Sequence, residues 1–127
     1  MNKLSKKAWN EFLRSCPMAS VFQSSAWEYQ MHLNGWYAEY FRWHQTGAVL
    51  YCKNIPLLGG TIMESPGGPV WNSVSDLSEC LARIFHFAKG KNTLSIRLTP
   101  HCLTDERTGS ELLPLLMTRG YHFVEEN

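Results

Sequence analysis

Hydrophobic residues recur at helical spacing in two stretches near the start of the chain. In the first, Ser5 can cap a helix that ends before Pro17, because proline lacks the backbone N–H that a helix needs. The second starts at Ser25, where Glu28 makes a capping box, and it stops at Asn34-Gly35. The hydrophobic stripe of the first helix consists of Trp9, Phe12, Leu13 and Cys16.

Two more helices are predicted in the second half of the chain. One begins at a cap on Ser73 or Ser75 and ends at Gly90. Its hydrophobic stripe consists of Leu77, Leu81, Ile84, Phe85 and Ala88. The other ends at Gly120, and its Pro114 fits only in the first helical turn. That last helix carries Leu112, Leu113, Leu116 and Met117.

Between these helices the pattern changes to one typical of β-strands. Residues 36–43 and 48–52 predict the two strands of an antiparallel hairpin, joined by a polar connection at 45–47. Residues 61–63 can form a third, short strand. The Pro- and Gly-rich residues 65–69 predict a loop.

Two strands are predicted near the end of the chain. Leu94, Ile96 and Leu98 alternate with polar residues, which indicates a half-buried strand ended by Pro100. Residues 121–124 predict the last strand. The order of elements indicates an α/β (α+β) fold, in which helices flank a mixed sheet. At this length, residues 1–127 are interpreted as one domain.

Composition narrows the classes of function. Charged residues make up 18% of the chain and the formal net charge is +1, so no broad basic field for nucleic acid is expected. No hydrophobic run reaches the ~18–20 residues that span a bilayer. The basic start is followed by an amphipathic stretch, which is not typical of a secretion signal. The chain is therefore expected to be cytoplasmic.

Cysteine and histidine do not show the spacing of a metal site. The five histidines are scattered, and no cofactor is expected. The cysteines also stand apart from one another, and we expect reduced and mostly buried thiols. These are Cys16, Cys52, Cys80 and Cys102.

Three features are candidates for ligand binding. Glycine-rich turns at 58–60 and 66–69 can offer backbone amides to a phosphate, although tight turns with positive φ are the favoured interpretation. Arg97 can bind a phosphate or a carboxylate bidentately or pair with a nearby surface carboxylate, and both interpretations stay open. The aromatic residues of 36–43 are interpreted as strand packing and not as a stacking surface.

Four segments resemble, in the same order, segments of the FemABX family, whose members add amino acids to peptidoglycan precursors from aminoacyl-tRNA. Residues 12–27 resemble the family's opening helix and Gln-x-x-x-Trp segment. Residues 65–70 resemble its Gly-Pro-Val loop, and 94–100 resemble its strand ending in Arg-x-x-Pro. Residues 116–121 resemble its helix ending in Gly-Tyr. The resemblance covers essentially the whole chain but only the first half of the family's usual length.

The resemblance implies a GNAT-like fold, with a twisted, mostly antiparallel mixed sheet, and a role in building peptidoglycan interpeptide bridges. It implies that this half holds a UDP- or lipid-linked muropeptide precursor. Aminoacyl-tRNA would be bound through a second GNAT-like domain that the chain lacks. The substrate-binding residues that the resemblance indicates are Gln23, Trp27, Gly67, Gly68 and Arg97.

The sequence also departs from the family. Some members place a basic residue four positions after the motif tryptophan, where it meets substrate phosphates. Here that position is Met31, whose thioether cannot form a charge-assisted hydrogen bond. No residue is identified as a catalytic base, so any transferase activity is expected to need the second domain.

Two other classes of function stay open. One is a non-catalytic half-domain whose uncovered face binds a ligand, a second copy or a partner chain. The other is a stand-alone GNAT N-acetyltransferase that uses acetyl-CoA. It is disfavoured because Pro66 and Pro69 remove amide donors from the loop that would hold a pyrophosphate.

Overall fold

A computed structural model of the chain describes residues 2–15, 25–71 and 73–98. Five strands lie within these ranges: β1 (Asn2–Leu4), β2 (Tyr37–Trp43), β3 (Thr46–Ile55), β4 (Gly60–Ser65) and β5 (Thr93–Leu98). The helices there are α1 (Lys6–Arg14), α2 (Ser25–Leu33) and α3 (Val74–Gly90). The helix and strand predicted after residue 100 lie outside the described residues.

The five strands form one mixed sheet in the order β1-β2-β3-β4-β5. Strands β1 to β4 pair antiparallel, and β5 pairs parallel with β4. A parallel pair needs a crossover connection, and α3 provides it. A mostly antiparallel mixed sheet with flanking helices confirms the predicted fold class.

Side-chain caps explain where α1 and α3 begin. Ser5 Oγ accepts a hydrogen bond from the Ala8 amide at 3.1 Å, and Ser73 Oγ accepts one from the Asp76 amide at 3.2 Å. Each bond satisfies one of the N–H groups that a helix leaves without a partner at its start. Of the two serines predicted to cap α3, Ser73 is therefore the cap.

The β2–β3 hairpin is tighter than predicted. Trp43 pairs with Thr46, so the turn contains only His44 and Gln45 and not residues 45–47. His44 has a φ of 54°, and positive φ is typical of two-residue hairpin turns. Thr46 and Gly47 are therefore the first residues of β3, and both are buried.

The predicted alternation in β5 is wrong at Leu94, which is 54% exposed. The register shifts here: Thr61 pairs with Thr93, and Ile62 pairs with Ser95. Leu94 is thus an extra residue in a bulge and has no place in the sheet's core. The later residues Ile96 and Leu98 do pack against the core, as predicted.

Each face of the sheet carries a hydrophobic cluster. The face covered by α3 carries Phe41, Ala48, Leu50, Cys52, Met63, Cys80, Ile84 and Ala88. The opposite face, called the α2 face, carries Trp9, Phe12, Tyr40, Val49, Tyr51 and Val70, with Trp27, Met31 and Trp36 at the cluster's edge. Tyr40 and Phe41, which are neighbours on β2, thus pack on opposite faces, and this confirms the predicted packing role for these two residues, while Tyr37 is 37% exposed.

Two of the four cysteines fall within the described residues, and both are free thiols. Cys52 and Cys80 are buried. Burial raises the pKa of Cys52 to about 11 and that of Cys80 to about 12, so both stay protonated at neutral pH. For this pair the prediction of buried, reduced thiols is confirmed, while Cys16 and Cys102 lie outside the described residues.

Two further observations concern membranes and metals. Among the described helices, none is long and apolar enough to cross a bilayer. Within the same residues, no three His, Cys, Asp or Glu side chains are grouped closely enough to hold a metal ion.

Candidate functional site

A row of polar side chains crosses the α2 face from β3 to β5. Tyr51 pairs with Glu64 in the antiparallel register, and Glu64 pairs with Arg97 in the parallel one. Residues directly opposite each other on paired strands point to the same face, and adjacent strands are about 4.8 Å apart. Tyr51, Glu64 and Arg97, called the polar row, therefore lie side by side.

One end of the polar row lies under the helix α2. Tyr51 is fully buried within the cluster that also contacts Trp27 and Met31 of this helix. Arg97, at the other end, is exposed on β5. The members of the α2-face cluster come from α1, α2, β1 to β3 and the loop after β4, but none lies on β4 or β5. The row therefore runs from a buried hydrophobic interior to an exposed polar edge.

A carboxylate lies beside the buried end of the row. Glu28, in the first turn of α2, pairs through Oε2 with Lys6 Nζ at 3.2 Å. The hydroxyls of Tyr40 and Tyr51 are buried below it, and neither has a hydrogen-bond partner at bonding geometry among the described residues. Burial raises the pKa of both phenols, and the nearby Glu28 carboxylate raises it further. Both tyrosines are therefore neutral donors at physiological pH, close to a carboxylate.

The buried hydroxyl of Tyr51 yields a testable prediction. Tyr51→Phe should raise the free energy of unfolding by about 1 kcal/mol, because it removes a buried polar group that has no partner among the described residues. Urea denaturation measures the change, and Tyr29→Phe, on the exposed side of α2, is the matched control with no expected effect. A clear loss of stability in the Tyr51 variant would show instead that the hydroxyl is hydrogen-bonded in the folded protein.

The glycine-rich loop follows β4 at the end of the sheet where β4 and β5 finish. Gly67 has a φ of 68°, which confirms the tight-turn interpretation. Gly68 donates its amide to the Ser65 carbonyl at 3.1 Å, and Val70 donates to Gly47 at 2.8 Å. Both amides therefore donate to carbonyl groups of the protein itself. They are not available to bind the phosphate of a ligand.

The other glycine-rich turn is also a tight turn. Gly59 has a φ of 69°, and its carbonyl accepts a hydrogen bond from Asn92 Nδ2 at 3.0 Å. This turn lies at the opposite end of β4 from Gly67, so the two predicted turns do not form one site.

The structure brings several of the sequence-predicted residues to the same face. Trp27 is half-buried against the same cluster as Val70, two residues after Gly68. Arg97 lies on this face in the polar row. Gln23 lies outside the described residues. Their roles in binding stay predictions, but four of the five residues lie on or next to the α2 face.

Met31 packs against the α2-face cluster and is half-buried. A charged side chain at this position would have to leave the cluster to stay hydrated. The departure from the family noted in the sequence is therefore part of the hydrophobic packing in this chain.

A hollow of about 430 Å³ lies elsewhere, beside the β2–β3 turn. It is lined by Leu4, Arg42, Trp43, His44 and Gln45. The Arg42 side chain is fixed there, because Nε donates to the His44 carbonyl at 2.7 Å and the guanidinium lies 4.5 Å from the Phe12 ring centre. The row's member on β3, Tyr51, pairs with Ala38 of β2, which is four residues, or roughly 13 Å, along the strand from Arg42. The hollow is therefore distinct from the polar row.

The uncovered edge of the α2 face carries groups that can bind a polar ligand. Its exposed guanidinium can form paired hydrogen bonds with a phosphate or a carboxylate. The half-buried Trp27 offers an aromatic wall for a sugar or a base. Within the described part of this face, no group combines a nucleophile with an adjacent base, so the geometry supports binding and orientation.

Sequence reasoning missed Glu28, Tyr40, Tyr51 and Glu64 as members of the site. In the sequence, Glu28 indicates only a helix cap and the aromatic residues indicate only strand packing. Strand register is the signal that reveals the polar row, because Tyr51, Glu64 and Arg97 are far apart in the sequence and become neighbours through pairing.

Comparisons with known proteins place this fold in a wider context. The crystal structure of FemX matches with a TM-score of 0.75 and 24% sequence identity, covering 94% of this chain and 32% of that one. The wild-type TTHA1254 protein from Thermus thermophilus matches with a TM-score of 0.56 and 12% identity, covering 100% of this chain and 93% of that one. A mutant form of the same protein matches with a TM-score of 0.57. These likenesses show the fold.

A search of curated proteins finds no match. The chain spans about a third of the FemX chain. The profile of the FemAB family matches residues 4–113, which is most of the sequence and includes α1, strands β2 to β5 and the glycine-rich loop. The chain therefore belongs to the FemAB family.

Proposed function

We propose that this chain is the precursor-holding part of a Fem-type aminoacyltransferase that builds peptidoglycan interpeptide bridges. The observation that carries the proposal is the FemAB family match over residues 4–113. The polar row supports it, because it ends in an exposed Arg97 on the face that also carries Trp27. The ligand is a UDP- or lipid-linked muropeptide.

In this proposal the diphosphate of the precursor lies near Arg97. A guanidinium binds phosphate oxygens through two parallel hydrogen bonds, which fixes the orientation of the ligand as well as its position. Trp27 contacts the sugar or the base. The phenols of Tyr40 and Tyr51 are buried beneath α2 and do not contact the ligand.

The reaction that the precursor would undergo is acyl transfer to an amine. The muropeptide amine attacks the ester carbon of aminoacyl-tRNA, a C–N bond forms, and the ester C–O bond breaks. The tRNA hydroxyl leaves, and the amine loses a proton. Such a reaction depends mostly on positioning of the two substrates and on stabilising the tetrahedral oxyanion. The part of the chain described here contributes the positioning of one substrate.

The second substrate needs groups beyond this region. Because the chain spans 32% of FemX, the rest of a complete transferase would supply the aminoacyl-tRNA site and the proton acceptor. A second GNAT-like domain, in the same protein or in a partner chain, is the proposed source.

Isothermal titration calorimetry of the chain with a UDP-linked muropeptide tests the proposal. We expect saturable binding with one ligand per chain. UDP alone and the free muropeptide serve as controls, and each should bind more weakly than the joined molecule. Absence of binding at millimolar ligand would overturn the assignment of the precursor to this half.

A further inference from the structure

Large exposed hydrophobic residues collect at one end of the molecule. Three turns meet there: the α2–β2 turn at 34–36, the β3–β4 turn at 56–59 and the α3–β5 turn at 91–92. This end, called the three-turn end, lies at the opposite end of β4 from the glycine-rich loop. Of the six large hydrophobic residues that are exposed in the described part of the chain, five lie in or next to its turns: Leu33, Tyr37, Leu57, Leu58 and Leu94.

Hydrogen bonds hold the three turns together. Asn92 Nδ2 donates to the Gly59 carbonyl at 3.0 Å, and the Thr61 amide donates to the Asn92 carbonyl at 3.2 Å. Lys53 Nζ donates to the Asn34 carbonyl at 3.1 Å. The exposed leucines are therefore presented by a connected surface.

The most exposed side chains belong to the β3–β4 turn. Leu57 is 105% exposed and Leu58 is 70% exposed. Leu57 also has a φ of 74°, a conformation that is unfavourable for leucine. The turn thus holds two neighbouring aliphatic side chains in solvent, where they can insert into an apolar phase.

Three lysines belong to the segments beside these turns. Lys53, Lys89 and Lys91 lie next to the three turns, and each ammonium lies near an aromatic ring, at 5.7, 4.9 and 5.7 Å from the ring centres of Trp36, Phe85 and Phe87. Among the described ion pairs, none includes these lysines. The segments 33–37, 53–60 and 89–94 contain no Asp or Glu. The three-turn end is therefore both hydrophobic and cationic.

We propose that the three-turn end is a peripheral contact site for an anionic lipid surface, with Leu57 and Leu58 inserted among the acyl chains and the three lysines on the phosphate groups. Exposed aliphatic and aromatic residues combined with lysines are the pattern by which proteins bind the interface of anionic membranes. An anionic lipid surface is favoured over a protein partner because the three lysines have no Asp or Glu in the neighbouring segments. The proposal does not depend on the transferase function.

Co-sedimentation of the full chain with phosphatidylcholine vesicles, with and without phosphatidylglycerol, tests the contact. We expect binding to the vesicles that contain phosphatidylglycerol and much weaker binding to phosphatidylcholine alone. Leu57→Asn/Leu58→Asn should lower the partition coefficient at least about tenfold, because two leucines no longer enter the apolar phase. Asparagine is chosen because it tolerates positive φ.

The charged part of the surface has its own variant. Lys89→Gln/Lys91→Gln should lower binding to phosphatidylglycerol vesicles about twenty-five-fold, at about fivefold per lysine, and remove most of the preference for that lipid. Tyr29→Ser, which changes an exposed aromatic residue outside the three turns, is the control and should bind like the unchanged chain. Circular dichroism verifies that each variant is folded.

Three results would overturn the proposal. They are no binding to phosphatidylglycerol vesicles, binding that neither double variant reduces, and a chain dimer seen by sedimentation velocity that the leucine variant abolishes. The last result would show that the surface contacts a second copy of the protein. Because no muropeptide is present, failure here leaves the proposed precursor binding to be judged by calorimetry.

Discussion

Replacing Gly47 with alanine is expected to lower the free energy of unfolding by about 3 kcal/mol, the upper end of the usual cost of overpacking. A Cβ atom at this position would lie 2.6 Å from the Phe41 carbonyl oxygen, 2.8 Å from the Trp9 ring and 3.0 Å from the Phe12 ring. Both rings are buried, and a backbone oxygen cannot rotate away. The added methyl group can therefore be accommodated only by shifting the backbone or the packed rings. Urea denaturation monitored by tryptophan fluorescence measures the loss.

Gly90→Ala is the matched control for this substitution. A Cβ at Gly90 meets no atom within 4 Å, and the residue is the last of α3. Alanine there should leave stability unchanged or raise it by up to about 1 kcal/mol through helix propensity. If Gly47→Ala behaved like this control, the close packing of α1 against the β2–β3 hairpin would be wrong.

Gly47 also connects the stability of the hairpin to the candidate site. Its amide donates to the Val70 carbonyl at 2.9 Å, and its carbonyl accepts from the Val70 amide at 2.8 Å. This pair of bonds fixes the end of the glycine-rich loop on the sheet. A shift of the hairpin in the alanine variant should therefore weaken precursor binding as well as folding.

Local signals in the sequence were sufficient to predict most of the described helices. A serine cap followed by a hydrophobic stripe marks both α1 and α3, because capping and helical periodicity depend on residues close in sequence. Strand β1 was not predicted, since three residues are too few to show an alternation. The tightness of the hairpin turn and the bulge at Leu94 depend on register, which neighbouring strands set together.

In the candidate site, too, local features could be predicted from the sequence, while features that depend on strand register could not. Arg97 was identified from its place on an otherwise neutral strand, and the tight turn at Gly67 from its composition. The alignment of Arg97 with Glu64 and Tyr51, and the position of Glu28 above two buried phenols, are products of pairing between distant segments. These neighbours cannot be predicted from one sequence, because strand register is set by contacts between segments that are distant in the chain.

Arg97→Ala is expected to weaken binding of a UDP-linked muropeptide about tenfold to a hundredfold, a loss of roughly 1.4–2.8 kcal/mol. The reason is the loss of paired, charge-assisted hydrogen bonds to the precursor's diphosphate. Because Arg97 is exposed at its position on β5, the variant should unfold at the same urea concentration as the unchanged chain. Calorimetry at two salt concentrations measures affinity and its dependence on charge.

Two further variants decide whether Arg97 acts through its shape or only through its charge. Arg97→Lys keeps the charge but not the bidentate geometry, so its affinity should lie between those of the unchanged chain and Arg97→Ala. Arg83→Ala removes an arginine on α3 that stacks 3.7 Å from the Trp43 ring, and it should bind the precursor normally. Equal weakening by the Arg83 and Arg97 variants would indicate a general electrostatic effect. Unchanged affinity in Arg97→Ala would place the diphosphate elsewhere and leave this guanidinium as a surface charge beside Glu64.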